Sequence, residues 1–196
     1  MGKVKIAVNT RLLLRNKMEG IGWFAYETLS RITQGNPGIE FVFIFDRKWD
    51  DEFIFSNNIT PVVAHPQARH PLLWYLYFDW GVPTVLSKHK PDLFLSPDGW
   101  LSLRTNVPQL PVIHDLNFVH HPEFLPDINR RYYDYFFPRF AKKATRIATV
   151  SEFSKGDIAE SYGIEKDKID VVYNGCNTLY KPVAEADIQA TRNLYS

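Results

Sequence analysis

The sequence contains one cysteine, Cys176, which excludes an internal disulfide and a zinc site built from several cysteines. So low a count is typical of a reducing compartment, and we expect a cytoplasmic protein. The sequence also lacks an excess of charge of one sign, because 23 basic and 22 acidic residues leave a formal net charge of +1. Nucleic-acid binding usually needs a basic surface that neutralises phosphates. We therefore predict no nucleic-acid partner.

Long apolar runs and flexible linkers are absent as well. The most apolar stretch, residues 72–86, is shorter than the ~20 residues that a bilayer span needs, and it contains Asp79 and Pro83. Residues 1–6 lack the apolar core of a signal peptide, and Ile6 stands where a myristoylation signal has Ser or Thr. No Gly/Ser-rich or charged linker divides the chain. These absences predict one soluble domain with a short tail.

Strand and helix patterns alternate along a chain that is 45% hydrophobic. Short apolar segments predict strands at residues 4–8, 40–45, 59–63, 92–96, 111–114, 146–150 and 169–173. Apolar residues at helical spacing predict helices at residues 20–33, 72–89, 128–144, 151–162 and 184–195. Such alternation indicates an α/β fold with a Rossmann-like, doubly wound, mainly parallel sheet. We assign residues 1–180 to this domain and residues 181–196 to a linker or the start of a second domain.

Ligands of such sheets bind at the carboxyl ends of the strands, near the point where the strand order reverses. Gly20-Ile21-Gly22 opens the first predicted helix near that edge. Glycines allow a ligand close to the backbone, and a helix N-terminus offers free N–H groups and a partial positive charge that suit a diphosphate. The competing interpretation is that the glycines only permit a tight turn and close packing.

The same stretch also reads Gly-x-Gly-x-x-Ala through Ala25, with Asp46 after the second strand as a ribose partner. That pattern would indicate an NAD(P)-dependent oxidoreductase. The dinucleotide fingerprint should follow its strand immediately, whereas here about ten residues intervene. This insert carries Arg11, Arg15 and Lys17, and it resembles a loop for an acceptor or a diphosphate. The transferase interpretation is therefore favoured over the oxidoreductase.

His114-Asp115 ends another predicted strand. A histidine with a neighbouring carboxylate can hydrogen-bond a ligand or orient a reacting group, although a structural histidine bonded to backbone is the alternative. His120 and His121 follow without a carboxylate or cysteine at ligand spacing, and no Asp-x-Asp motif is present to hold a metal–diphosphate. We therefore predict no metal and no cofactor.

Three further segments have structural explanations beside functional ones. Ser151 is suited to cap a helix, and Asn174-Gly175 is suited to a turn. The helix over residues 128–146 carries six basic residues, which would suit an anionic membrane surface or a lipid-phosphate acceptor, or form an ordinary solvated face.

In their order, these segments resemble the retaining family-4 glycosyltransferases of the GT-B fold. The resemblance is carried by residues 9–11 with 20–24, and by residues 111–115, 148–154 and 169–175. It implies a metal-independent transferase, hexosyl or mannosyl in type, that moves a sugar from a nucleoside diphosphate sugar to a glycan or lipid-linked acceptor with retention. In that family the N-terminal domain mainly binds the acceptor, and the C-terminal domain binds the nucleotide.

The resemblance also implies roles for particular residues. Gly20, Ile21 and Gly22 would lie beside the donor diphosphate, and Arg11 belongs to the same binding region. His114 would contact the transferred sugar or its phosphate, and Asp115 would support the loop. The remaining residues that would line the cleft are Ser151, Asn174 and Gly175.

Two features depart from the family pattern. Trp23 stands where an arginine is common, and the chain stops at Ser196, where the donor-binding domain would begin. We therefore expect that a C-terminal domain is missing and is a partner of this chain. On its own, the chain should be inert and should bind a donor weakly or not at all. We also expect contact with the inner face of the membrane. An NAD(P)-dependent oxidoreductase and a non-catalytic interaction domain are the alternatives.

Overall fold

A computed structural model describes residues 2–176 and 181–195 of the chain. Its central sheet has five parallel strands in the order β3-β2-β1-β4-β5. The strands are β1 (Lys5–Asn9), β2 (Glu40–Phe45), β3 (Ile59–Val63), β4 (Leu93–Ser96) and β5 (Gln109–Pro111). Chain order runs outward from β1 to β3 on one side and from β4 to β5 on the other. The strand order therefore reverses between β1 and β4, which confirms the predicted doubly wound, parallel sheet.

Two short strands extend the sheet beyond β5. Strands β6 (Ile147–Thr149) and β7 (Ile169–Val171) pair in parallel, and a single bridge from Val112 to Ala148 joins them to the β5 side. The backbone N–H of Ile113 also donates to the carbonyl of Ala148 at 2.9 Å. As a result, the loops after β5, β6 and β7 all leave the same edge of the sheet.

The helices occupy both faces of the sheet, and the sequence predicted all of the described ones except α4. They are α1 (Gly20–Gly35), α2 (Pro71–Leu76), α3 (Val82–His89), α4 (Asn117–His120), α5 (Asp127–Lys143), α6 (Glu152–Tyr162) and α7 (Glu185–Tyr195). A π-helical turn at Tyr77–Gly81 joins α2 to α3 within the helix predicted over residues 72–89, and Pro83 stands in the first turn of α3. A Cβ atom on Gly81 would lie only 2.3 Å from the carbonyl oxygen of His65, so this close backbone approach requires glycine.

The core lies in two layers because successive strand residues point to opposite faces. On one face Val8, Phe41 and Phe43 pack with Leu29 of α1. On the other, the residues packed with α2, α3 and α5 include Ala7, Val42, Ile44 and Phe94. Both faces are buried, which explains the near-continuous apolar runs from which the strands were predicted.

Most helices and strands end within two residues of the predicted bounds, whereas β5 (Gln109–Pro111) shares only Pro111 with the strand predicted at residues 111–114. Strand β5 ends at Pro111 rather than at residue 114, so His114 lies in the loop beyond the strand. Ser151 caps α6 as predicted, accepting the backbone N–H of Ser154 at 3.0 Å, and Gly163 ends that helix with a φ of 63°.

Residues 181–195 have almost no contact with the core. Helix α7 contains no buried residue, and Ile188 is the one residue of this segment that is partly buried. The predicted domain boundary at residue 180 lies outside the described residues, so the division into domains stays a prediction.

Candidate functional site

An open cleft of about 1380 Å³ lies at the carboxyl edge of the sheet. Three parts of the chain form it: the start and outer face of α1, the loop after β5, and the segments that follow β6 and β7. The lining residues are Gly20, Ile21, Trp23, Phe24, Glu27, Thr28, Arg31, Ile32, His114, Asp115, Val150, Val172, Tyr173, Asn174, Gly175 and Cys176.

The N-terminus of α1 enters this cleft with free backbone donors. The first three N–H groups of a helix have no partner within it, and the first intrahelical bond here runs from Trp23 N–H to the Glu19 carbonyl at 2.9 Å. The side chain of Glu19 makes no capping hydrogen bond, and no acidic residue stands in the first turn. These N–H groups and the helix dipole therefore form a local site for an anion.

The two glycines of α1 have different surroundings. A Cβ atom on Gly20 would meet nothing within 4 Å, so this residue leaves the helix end open to the cleft. A Cβ atom on Gly22 would lie 3.0 Å from the carbonyl oxygen of Leu12 and 3.4 Å from Cβ of Met18. Gly22 is buried and allows α1 to pack closely on the preceding loop, and it lies outside the cleft lining.

The imidazole of His114 is oriented by two contacts. Its Nε2 lies 2.9 Å from the carbonyl oxygen of Pro97, and the ring of Phe24 meets it edge-on at 4.8 Å between centroids. A carbonyl oxygen can only accept, so Nε2 carries the proton. In the neutral ring, Nδ1 is then a hydrogen-bond acceptor, and it has no partner among the described residues.

Asp115 stabilises the loop that carries His114. Its Oδ1 accepts the backbone N–H of Asn117 at 3.0 Å, which closes a turn immediately before α4. The side chain is exposed and lines the cleft. Asp115 therefore supports the backbone turn that follows His114, and its role in the reaction stays a prediction.

Arg11 lies outside the cleft lining. Its Nε donates to Oδ2 of Asp98 at 2.7 Å, and its guanidinium carbon lies 4.7 Å from the ring centroid of Trp100. The Arg11 and Asp98 side chains are only 12% and 4% exposed. Asp98 Oδ1 also accepts from Asn9 Nδ2 at 2.7 Å and from Ser96 Oγ at 2.9 Å. This buried network ties β1 to β4 where the strand order reverses.

The structure thus brings most of the predicted site residues together and separates three of them. Those in the cleft are Gly20, Ile21, His114, Asp115, Asn174 and Gly175. Gly22, Arg11 and Ser151 contact the surrounding fold instead, and the neighbour of Ser151, Val150, takes its place in the lining. Sequence reasoning missed Asp98, because Pro97-Asp98-Gly99 is a sequence typical of a turn and carries no sign of a distant partner.

The described wall of the cleft carries little positive charge. Its charged lining residues are Glu27, Arg31 and Asp115, and Arg31 is paired with Glu27 one helical turn away. An anion in the cleft therefore meets positive potential chiefly at the N-terminus of α1. Among residues 2–176 and 181–195, no group of three His, Cys, Asp or Glu side chains is placed to hold a metal ion. Nor does this part of the chain contain a helix that is long and apolar enough to cross a bilayer.

The fold and the cleft define a Rossmann-like domain of the GT-B type. The chain belongs to glycosyltransferase family 4, whose family model matches residues 19–179. It is 28% identical over 121 residues to the O-antigen chain mannosyltransferase RfbU of Salmonella typhimurium, and this match covers 61% of the chain and 33% of RfbU.

Solved structures show the same fold at low sequence identity. A glycosyltransferase from Rickettsia africae matches 100% of the chain and 50% of its own, with a TM-score of 0.55 and 15% identity. Anabaena Alr3699/HepE in complex with UDP-glucose matches 97% of the chain and 49% of its own, with a TM-score of 0.56 and 17% identity. A UDP-N-acetylglucosamine 2-epimerase matches 87% of the chain and 48% of its own, with a TM-score of 0.57 and 12% identity. The chain thus spans about half the length of these solved relatives.

Proposed function

We propose that the chain is the acceptor-side part of a retaining glycosyltransferase. The enzyme moves a sugar of the hexose or mannose type from a nucleoside diphosphate sugar to a glycan or lipid-linked acceptor. The observation that carries this proposal is that the free amide end of α1 and the imidazole of His114 line one cleft. Membership of family 4 supports sugar transfer, and the relatives include a mannosyltransferase and a protein crystallised with UDP-glucose.

In this proposal the N-terminus of α1 receives the donor diphosphate. Backbone N–H groups at Gly20 and Ile21 stabilise the charge that grows on the diphosphate as the sugar departs, and they need no reorganisation to do so. Nδ1 of His114 accepts a hydrogen bond from a hydroxyl of the transferred sugar. Asp115 keeps His114 in place through its bond to Asn117, and Asn174 with Gly175 lines the same cleft.

The described wall alone is a poor site for a diphosphate, because it contributes no cation beyond the paired Arg31. We infer that a second domain supplies the remaining positive charge, and that the chain by itself is inactive. We propose that the enzyme acts in the cytoplasm at the inner face of the membrane, with the basic residues of α5 as the contact.

The proposal is tested by His114→Ala in the full-length enzyme, with His120→Ala as matched control. Loss of one hydrogen bond to the reacting sugar should lower kcat by about tenfold or more, since ~1.4 kcal/mol corresponds to tenfold. His120 pairs with Asp157 at 2.8 Å and lies outside the cleft lining, so its removal should leave kcat unchanged. Steady-state rates with UDP- and GDP-sugars measure both effects.

Two outcomes contradict the proposal. If His114→Ala turns over and binds donor like the unaltered enzyme, His114 has no role at the sugar. If calorimetry detects NAD(P) binding and no nucleotide-sugar binding, the chain belongs to an oxidoreductase instead.

A further inference from the structure

A second, smaller cavity of about 310 Å³ opens at the same edge of the sheet. It lies between the loop that follows β1 and the segment that follows β2. Its lining residues are Leu13, Leu14, Arg15, Lys17, Arg47, Lys48, Trp49, Asp50 and Phe53. Neighbouring parallel strands β1 and β2 deliver both segments to the carboxyl edge, where ligands of this fold class bind.

Four cations line this cavity, and two of them are already paired. Arg15 contacts Asp50 at 2.9 Å, and Arg47 donates through Nε and Nη2 to the buried carboxylate of Asp46 at 2.7 and 2.8 Å. The lysines that remain, Lys17 and Lys48, are exposed and have no anionic partner among the described residues.

Glu52, outside the lining, acts electrostatically on Arg15. Counted over the lining residues and Asp46, the cavity is left with two positive charges. A phosphate monoester carries about −1.5 to −2 charges near neutral pH, which matches them. The guanidinium of Arg47 adds a directed donor, because its Nη1 is not used by Asp46. Asp51 and Glu52 belong to the short 3₁₀ helix that follows Asp50, and they lie outside the cavity lining.

One wall of the cavity is aromatic. Trp49 is half-buried, with its ring 6.0 Å from that of Phe45 and tilted by 32°. Leu13 and Phe53 are buried beside it in the lining. An apolar face with cations around it is suited to a ligand that joins a ring to a phosphate.

The cavity is close to the cleft along the chain. Lys17 lines the cavity and Gly20 lines the cleft, and three Cα–Cα steps of about 3.8 Å limit their separation to about 11 Å. One ligand of a few sugar units is long enough to touch both places.

We propose that this cavity binds the phosphate group of an anionic acceptor, a sugar phosphate or a lipid-linked sugar phosphate, with a sugar ring against Trp49. The inference rests on the proposed function, since it assigns the substrate class that the transferase glycosylates. Lys17 and Lys48 neutralise the phosphate, and the adjoining sugar extends toward the cleft.

The test is a calorimetric titration of the chain with mannose 1-phosphate, inorganic phosphate and neutral mannose. The double variant Lys17→Glu/Lys48→Glu is compared with Lys3→Glu/Lys88→Glu, which changes net charge equally at two exposed lysines on the amino edge of the sheet. Mannose 1-phosphate should bind the unaltered chain at least tenfold more tightly than mannose. The cavity variant should lose at least tenfold in affinity, and the control should stay within twofold.

A third variant tests the aromatic wall. Trp49→Ala should weaken mannose 1-phosphate several-fold and leave inorganic phosphate unchanged, because only the sugar ring contacts Trp49. The proposal is overturned if the cavity variant binds mannose 1-phosphate as tightly as the control variant does. It is also overturned if the unaltered chain binds mannose 1-phosphate and neutral mannose with equal affinity.

Sedimentation with vesicles distinguishes the two sources of phosphate. The vesicles contain a polyprenyl phosphate. If the control variant sediments with them and the cavity variant does not, the acceptor is lipid-linked. Binding of soluble mannose 1-phosphate without such sedimentation identifies a free sugar phosphate. Neither assay involves a donor. If both assays detect no phosphate binding while His114→Ala lowers kcat as expected, only the cavity assignment is overturned. Phosphate binding without a His114→Ala effect overturns the transferase site alone.

Discussion

Asp98 shows how a charged residue near a site can belong to the fold. Its carboxylate accepts hydrogen bonds from Asn9, Ser96 and Arg11, and it is almost fully buried. A buried ion pair is retained only when both partners are satisfied, because an unpaired charge in the interior is costly. Arg11 was predicted to bind a ligand, and its partner stands 87 residues away. Local sequence gives no sign of that pairing.

Asp98→Ala should therefore destabilise the protein strongly. It leaves the Arg11 guanidinium buried without a counter-charge, which costs about 3–5 kcal/mol. Asp170→Ala is the matched control, since it removes the exposed partner of Arg146, and surface pairs contribute about 0–1 kcal/mol. Urea unfolding measures both free energies. Equal losses for the two variants would mean that the network between β1 and β4 contributes no more than a surface pair.

Asp79 makes stability depend on pH. Burial raises the pKa of this carboxyl above its ordinary value of 3.8, and the hydrogen bonds from Leu103 N–H and Ser102 Oγ offset part of that rise. The folded protein then holds the proton to a higher pH than the unfolded chain does. The stability that this group contributes is complete below pH 3.8 and is lost as the pH rises through the folded pKa.

Asp79→Asn isolates this effect, because the amide keeps an oxygen for Leu103 and Ser102 and does not ionise. Relative to this variant, the unaltered protein should become steadily less stable from about pH 4 upward and then level off. Urea unfolding over a series of pH values measures the difference. A difference that stays constant with pH would contradict the assignment.

Among the helices and strands, the predictions are accurate where the pattern lies in neighbouring residues and fail where it depends on residues distant in the sequence. Strands β2 and β3 have the predicted bounds, and α6 begins after its predicted cap, Ser151, and ends at the predicted residue, Tyr162. Helix α4 was missed because it is four residues long and buries none of them, so it carries no apolar periodicity. His114 was found from its place at a strand end, whereas its partner Pro97 lies in a loop brought near only by folding.

The π-helical turn between α2 and α3 depends on Gly81. Gly81→Ala would force a Cβ atom against the His65 carbonyl, where the present spacing is 2.3 Å, and such overpacking costs about 3 kcal/mol. Gly156→Ala in α6 is the matched control, because a Cβ atom there meets nothing within 4 Å and alanine favours a helix by up to ~1 kcal/mol. Thermal unfolding should show Tm lowered by about 6–12 °C for the first and raised by about 2–4 °C for the second. An unchanged Tm for Gly81→Ala would mean that the turn tolerates a side chain.

At the scale of the whole molecule, the cleft resembles one wall of a site. The chain spans about half of the solved relatives, at 50% of the Rickettsia protein and 49% of the Anabaena protein. Helix α7 has no buried residue, and the assignment of residues 181–196 to a linker or second domain stays a prediction. A diphosphate needs preorganised positive charge, and the described lining supplies it only at the start of α1.

We therefore expect the 196-residue chain to bind UDP- and GDP-sugars more weakly than about 1 mM, which is ~4 kcal/mol of binding energy, and to show no turnover. The full-length enzyme should bind its donor at least tenfold more tightly in the same titration. Calorimetry and a sugar-transfer assay on both proteins make this comparison. Turnover by the short chain alone would show that one wall suffices.

The insert between Asn9 and Gly20 lines the smaller cavity, and the helix that follows it begins in the cleft. Gly22 allows the start of α1 to pack against the carbonyl of Leu12, so backbone packing fixes the insert against the helix that follows it. Leu13, Leu14, Arg15 and Lys17 line the smaller cavity and take no part in the sheet. If the smaller cavity binds the acceptor as proposed, this short segment outside the sheet sets the acceptor preference, and we expect a transplant of its four lining positions between relatives to move that preference without rebuilding the scaffold.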